Sequence, residues 1–252
     1  MTIITNSWIT RPQPNPKARL RLFCFPYAGG AASSFRTWPD PLAPHIEVCP
    51  VELPGRGKRM REPLVTSLLP LIETLTPALL PYLDIPFAFF GHSMGALISF
   101  ELARQLRRQE APSPRHLFIS GRRAPQVPAR KPPLHNLPKS ELIEALRKYN
   151  GTPEAVLANQ ELMELFLPIL RADFGINETY TYTSEPPLNC PISAFGGLQD
   201  TDANSDELAA WRDQTSSTFT VHMFPGGHFF INNNKECNQL LQLITKFAIA
   251  PV

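Results

Sequence analysis

The stretch FFGHSMGALISFELARQL occupies Phe89–Leu106. A short apolar run leads into it, the pattern G-x-S-x-G interrupts it at Gly91–Gly95, and an amphipathic run follows, apolar at Leu97, Ile98, Leu102 and Leu106. That spacing belongs to one face of a helix, whereas the run before the first glycine has the length and composition of a buried strand. A serine set between strand and helix in this pattern is a nucleophile elbow: the turn is sharp enough to push the hydroxyl out beyond the sheet edge. Gly91 and Gly95 are required because strand and helix pass close to each other there. The Met94 N–H, at the helix start, faces the place where an oxyanion would develop.

Outward from the elbow, short apolar runs alternate with longer helical patterns. Strands are predicted at Arg19–Phe25, Ile46–Leu53, Pro86–Phe90, His116–Ser120, Pro191–Gly197 and Phe219–Phe224. Several are apolar at nearly every residue, the mark of strands buried on both faces of a parallel sheet. Helices are predicted at Ser67–Leu83, Met94–Arg108, Ser205–Trp211 and Lys235–Phe247, with Pro70 and Pro77 counting against the first. This alternation predicts an α/β class with a mostly parallel central sheet flanked by helices. The region 122–189 breaks the rhythm. It is proline-rich at first, then strongly helical, and too long for a simple crossover. It reads as a helical lid insertion between a core formed by residues 1–121 and 190–252.

A serine needs a base, and the base needs an orienting acid. Of the six histidines, His92 is constrained within the elbow, His45 and His116 precede strands, His135 lies in the proline-rich connection, and His222 sits inside a strand. His228, in FPGGHFF, follows the last strand at a glycine-rich turn on the same sheet edge as Ser93. The acid should leave that edge between them in sequence. AFGGLQD delivers Asp200, with Asp202 and Asp206 as rivals. The loop after the first strand, FPYAGGAASSF, has glycines that let backbone approach a substrate, and its Ala28 N–H is the candidate second oxyanion donor.

Composition sets the frame. A chain of 252 residues, 43% hydrophobic and 18% charged, can bury a full core. A net charge of +2 gives no case for nucleic acid or an anionic membrane. The basic clusters Arg56, Lys58, Arg59, Arg61 and Arg122, Arg123, Arg130, Lys131 read as solvated loop charge, with a dock for an acidic partner as the alternative. The chain has 28 prolines, about twice the usual share, scattered rather than repeated. The four cysteines form no C-x-x-C pair, no His/Cys spacing suggests a metal site, and Cys24 and Cys49 read as small buried side chains. The start MTIITNSWIT lacks the features of a signal peptide, and no apolar run suggests a membrane span, so a cytoplasmic setting is expected.

Taken together, LFCFPYAGGAASSFRTW, VELPGRG, GHSMGALISFELA, LFISGRRAP, RADF, GGLQD and FPGGHFFI resemble the type II thioesterases, stand-alone α/β-hydrolases that accompany nonribosomal peptide and polyketide synthases. The resemblance runs from about Trp8 to the last helix. It implies hydrolysis of acyl or aminoacyl thioesters from the phosphopantetheine arm of acyl or peptidyl carrier protein domains, clearing stalled or misprimed units. It also implies Ser93 as nucleophile, His228 as base, Asp200 as orienting acid, and Ala28 and Met94 as oxyanion donors. No metal or organic cofactor is expected, since the substrate carries the phosphopantetheine, and a monomer is the default. A general small-ester hydrolase or acyltransferase on the same scaffold, or a non-catalytic module docking on a synthase, are the alternatives. One departure is Gly57–Lys58 in PGRGKRMRE, where an acidic residue is common in the family.

Overall fold

A computed structural model describes residues 7–149 and 151–249. The first six residues, part of the stretch read for a signal peptide, and Asn150 lie outside the described residues. Six strands are described: β1 (Leu20–Phe25), β2 (Ile46–Pro50), β3 (Phe87–His92), β4 (Leu117–Ser120), β5 (Ile192–Gly197) and β6 (Phe219–Phe224). They form one sheet in the order β2-β1-β3-β4-β5-β6, and every neighbouring pair is parallel. Each expected strand is present, shifted at its ends by three residues at most. Parallel pairing brings all the C-terminal strand ends to one edge. Between β1 and β3 the strand order reverses, which opens a crevice at that edge.

Strand alternation divides the core in two. In β1, Phe23 and Phe25 join one buried cluster while Leu20, Leu22 and Cys24 join the other. The α-helices are α1 (Pro39–Leu42), α2 (Leu68–Leu79), α3 (Met94–Arg108), α4 (Lys139–Tyr149), α5 (Glu154–Leu157), α6 (Gln160–Glu178), α7 (Ser205–Ala209) and α8 (Asn234–Ile249). Leu71 and Leu75 of α2, Leu97 and Phe100 of α3, and Leu208 of α7 pack on the Phe23 side. Leu42 of α1 with Leu240 and Ile244 of α8 cover the other face. Phenylalanines from adjacent strands meet edge to face, as Phe25 and Phe89 do at 5.3 Å between ring centroids.

Helix α2 tolerates both of its prolines. Pro70 falls in the first turn, where no backbone N–H has a helical partner, and Pro77 lies near the end. The chain then tightens into a 3-10 turn at Leu80–Tyr82 rather than continuing as the predicted helix to Leu83.

Helices α4, α5 and α6 all come from the region 122–189, between β4 and β5. They share a small apolar core of their own, including Leu142, Leu146, Leu157, Met163 and Leu167. Farther along α6, Ile176 joins the main core, so this helix belongs to both. Among the described residues no helix is long and apolar enough to cross a membrane. The thiols of Cys24, Cys49 and Cys190 are free and buried, as read for the first two, and that of Cys237 is free and half-buried.

The tightest place in the fold is the crossing of β1, β3 and α3. A Cβ on Gly95 would lie 2.0 Å from the Phe25 carbonyl oxygen, and one on Gly91 would lie 2.2 Å from the Gly95 carbonyl. Gly95→Ala is therefore expected to destabilise at the upper end of the roughly 1–3 kcal/mol typical of overpacking. The denaturant midpoint measures this, and a wild-type midpoint would show slack at the crossing.

Candidate active site

Ser93 sits between the last residue of β3 and the first of α3. Its φ of 55° and ψ of −111° are rare for a residue with a side chain. Such a conformation costs on the order of 1–3 kcal/mol and survives only where the surroundings impose it. Here the Ser93 N–H is held by the Ser120 carbonyl at 2.7 Å, and the two glycines let α3 close against the sheet. The start of α3 leaves its first N–H groups, Met94 among them, without helical acceptors. The helix dipole adds a partial positive charge at the same point.

The loops after β5 and β6 are joined to each other. The Leu198 N–H donates to the Phe224 carbonyl at 2.8 Å and the Gln199 N–H to the Gly226 carbonyl at 2.9 Å. Gln199 Oε1 accepts the Gly226 N–H in return. This brings Asp200 beside His228, with Asp200 Oδ2 2.8 Å from His228 Nδ1. The Asp200 side chain is fully buried, and its other oxygen accepts the Asp202 N–H at 2.8 Å. Between the rivals the geometry selects Asp200. The Asp202 carboxylate pairs instead with Lys131 at 2.5 Å, and Asp206 lies in the first turn of α7. Asp200, Asp202 and His228 offer ligand atoms within 4.8 Å of one another, but each is already engaged in these pairings.

Ser93, His228 and Ala28 line a single cavity of about 460 Å³. The Ala28 N–H finds no acceptor among the described residues. The other histidines are elsewhere or otherwise occupied. His45 is exposed and His116 is stacked on Phe118 at the opposite sheet edge, while His135 pairs with Glu178. His222 stacks on Phe195. His92 is the exception: buried below the site, it has its ring 5.0 Å from that of His228 and Nδ1 2.9 Å from Ser120 Oγ. Burial, with the neighbouring His228 charge, holds its pKa far below the ordinary histidine range. It is neutral at physiological pH and does not compete for the proton.

Most of the remaining cavity wall comes from 122–189, including the segment Arg122–Pro133 with Tyr149, Leu170, Phe174 and Asn177. The reading of the basic clusters as solvated loop charge holds for Lys58, Arg61, Arg130 and Lys131, which are exposed, and is corrected for Arg56, Arg59 and Arg122. Arg56 and Arg59 are only 5% and 4% exposed. Arg56 forms a two-bond ion pair with Asp173 of α6, and Arg59 stacks on Trp8 and pairs with Glu62. Arg122 is enclosed in the cavity wall and donates to Asn177 Oδ1 at 3.0 Å. Burial first, then repulsion from Arg123, draws its pKa down. Arg130 pairs with Glu207. Composition alone could not separate these from solvated charges. The one available signal is that Arg56 lies between two glycines, Gly55 and Gly57, in a tight loop.

A parallel sheet presenting a strained serine, a histidine backed by a buried aspartate and two free backbone N–H groups at one edge defines the α/β-hydrolase class. Comparison with known proteins narrows it. A family model described as a thioesterase domain matches residues 20–248. The gramicidin S biosynthesis protein GrsT of Aneurinibacillus migulanus is 48% identical over 93% of this chain and 93% of its own. The solved structure of RedJ, the thioesterase of the prodiginine pathway in Streptomyces coelicolor, is 41% identical, covers 93% of each chain and superposes with a TM-score of 0.88. BorB, the type II thioesterase of the borrelidin cluster, is 35% identical over 98% of this chain and 100% of its own, also with a TM-score of 0.88. The chain belongs to the thioesterase family, as a serine-type thioester hydrolase of the type II group.

The His228–Asp200 contact makes a separable prediction. Asp200→Asn should lower kcat by about 10⁴, because the amide no longer holds the imidazole in the required tautomer. Asp202→Asn should leave kcat within a few-fold of wild type. Equal losses in steady-state hydrolysis would contradict this division.

Proposed function

We propose that this chain removes acyl and aminoacyl groups from the phosphopantetheine arm of carrier-protein domains, in the cytoplasm, and so edits stalled or misprimed synthase modules. The observation that carries the reading is the 2.8 Å His228–Asp200 contact facing the Ser93 cavity. A relative named for gramicidin S biosynthesis and solved thioesterases from mixed nonribosomal peptide and polyketide pathways support the substrate class. Four free thiols accord with a reducing compartment.

Asp200 accepts a hydrogen bond from the Nδ1–H of His228, which leaves Nε2 unprotonated and free to act as base. Nε2 takes the Ser93 proton as Oγ attacks the thioester carbonyl. The tetrahedral oxyanion is held by the Met94 and Ala28 N–H groups. The C–S bond breaks, and the pantetheine thiolate receives the proton from the imidazolium. Water then gives a proton to Nε2 and attacks the acyl-enzyme. Its collapse releases the carboxylic acid and returns the proton to Ser93. These steps need no metal or organic cofactor.

The insertion 122–189 acts in this reading as a lid. Tyr149, Leu170 and Phe174 shape the acyl pocket, and the helices shift to admit the arm. Carrier-protein domains are the partners, and the enzyme works as a monomer without nucleic acid or membrane.

Ser93→Ala should abolish release from carrier proteins loaded with acetyl, longer acyl and aminoacyl groups, with the fold retained by circular dichroism. Mass spectrometry of the carrier domain scores the release. Full activity in the variant would refute the nucleophile. A wild-type enzyme that cleaves simple aryl esters but no loaded carrier protein would move the assignment to a general esterase.

A further inference from the structure

The loop that carries Ala28 is a tight turn. The Tyr27 carbonyl accepts the Gly30 N–H at 2.8 Å, and Gly29, at the third position, has φ of +77°, as a type II turn demands. A turn of this kind has few bonds of its own and can rock about its peptide planes. Here it is clamped from outside. Asp173 Oδ2 accepts the Gly29 N–H at 2.7 Å. Arg56 Nη1 donates to the Gly30 carbonyl at 2.9 Å and to Asp173 Oδ2 at 2.7 Å, while Nη2 donates to Asp173 Oδ1 at 2.7 Å. Both side chains are buried.

The clamp leaves one donor over. The Tyr27–Ala28 peptide is held at its carbonyl end by Gly30, which is itself held by Arg56. The next peptide is held at its N–H by Asp173. The Ala28 N–H is the group that remains, and Ala28 lines the cavity shared with Ser93. The clamp also crosses between parts of the chain: Asp173 lies 144 residues beyond Gly29, on α6. Leu170, one turn earlier on α6, is pressed against the same glycine, since a Cβ there would lie 2.7 Å from Leu170 Cδ2.

A buried ion pair is a poor device for stability alone, since its desolvation offsets much of its attraction. Two charged groups that jointly claim the N–H and carbonyl of one turn are well suited to fixing its orientation. An oxyanion donor is worth its full effect only when it is already aimed, and small misplacements are costly. We infer that Asp173 and Arg56 are positioning residues that aim the Ala28 N–H at the oxyanion, so that the hole is assembled only while α6 is seated on the turn. This rests on the hydrolase reading of the site. Neither side chain touches the reacting atoms.

The test compares wild type with Asp173→Asn and Arg56→Lys, using a pantetheine thioester and a trifluoromethyl ketone analogue that adds to Ser93 to form a stable oxyanion. Asp173→Asn keeps the shape but weakens the charged clamp. Its kcat should fall about 10- to 100-fold, short of the roughly 10²- to 10³-fold cost of losing an oxyanion donor outright, with KM within about twofold because ground-state binding is untouched. The ketone Ki should rise by the factor by which kcat/KM falls, and Arg56→Lys should lie on the same line. A merely structural role would not produce that proportionality. Unchanged kcat, a loss confined to KM, or a fallen kcat with unchanged Ki would each overturn the inference. Should Asp173→Asn fail to fold, Arg56→Lys carries the same criteria. A wild-type enzyme inert toward every thioester and ester would instead sink the hydrolase reading, whereas an active wild type matched by both variants sinks only this one.

Discussion

The architecture turns on the absence of clearance where β1, β3 and α3 meet. The Gly95 Cα faces the Phe25 carbonyl so closely that a Cβ would sit 2.0 Å from it. That contact fixes where α3 begins, and therefore the backbone angles of Ser93. The serine is strained because its neighbours on both sides are packed, and the sheet and its two aromatic-rich cores hold them there. The strain is local and small against the burial around it. In return the hydroxyl stands clear of the sheet edge, with a helix N-terminus behind it.

Around that point the site is assembled from parts that lie far apart in the chain. The serine comes from the β3–α3 elbow, the histidine and its aspartate from a pair of bonded loops after β6 and β5, and the Ala28 N–H from the β1 turn. A parallel sheet suits this assembly because all its C-terminal ends share an edge. The two imidazoles nearest the serine are given different fates by their surroundings. His92 is buried and kept neutral, whereas His228 stands at the cavity wall with a carboxylate behind it.

The region 122–189 is more than an appendage. It brings its own apolar core, supplies most of the cavity wall, and reaches the turn after β1 through Asp173. Its Asp173 and Asn177 also hold Arg56 of the PGRG loop and Arg122 of the cavity wall. An arginine in a loop looks solvated until the helix that carries its carboxylate is folded over it, as α6 is over Arg56.

What the sequence determined by itself was periodicity and local chemistry. Six apolar runs became six strands within three residues at each end, and Met94–Arg108 formed as read, because spacing of apolar side chains decides which face is buried. The elbow was legible because G-x-S-x-G is a local steric requirement. Asp200 stood only as one of three acids, since charge and spacing do not reveal which carboxylate a folded loop turns inward. That choice, the burial of Arg56, the neutral state of His92 and the bond from Asp173 to the Gly29 N–H were decided by tertiary structure. Each depends on residues far apart in the chain meeting where water is excluded.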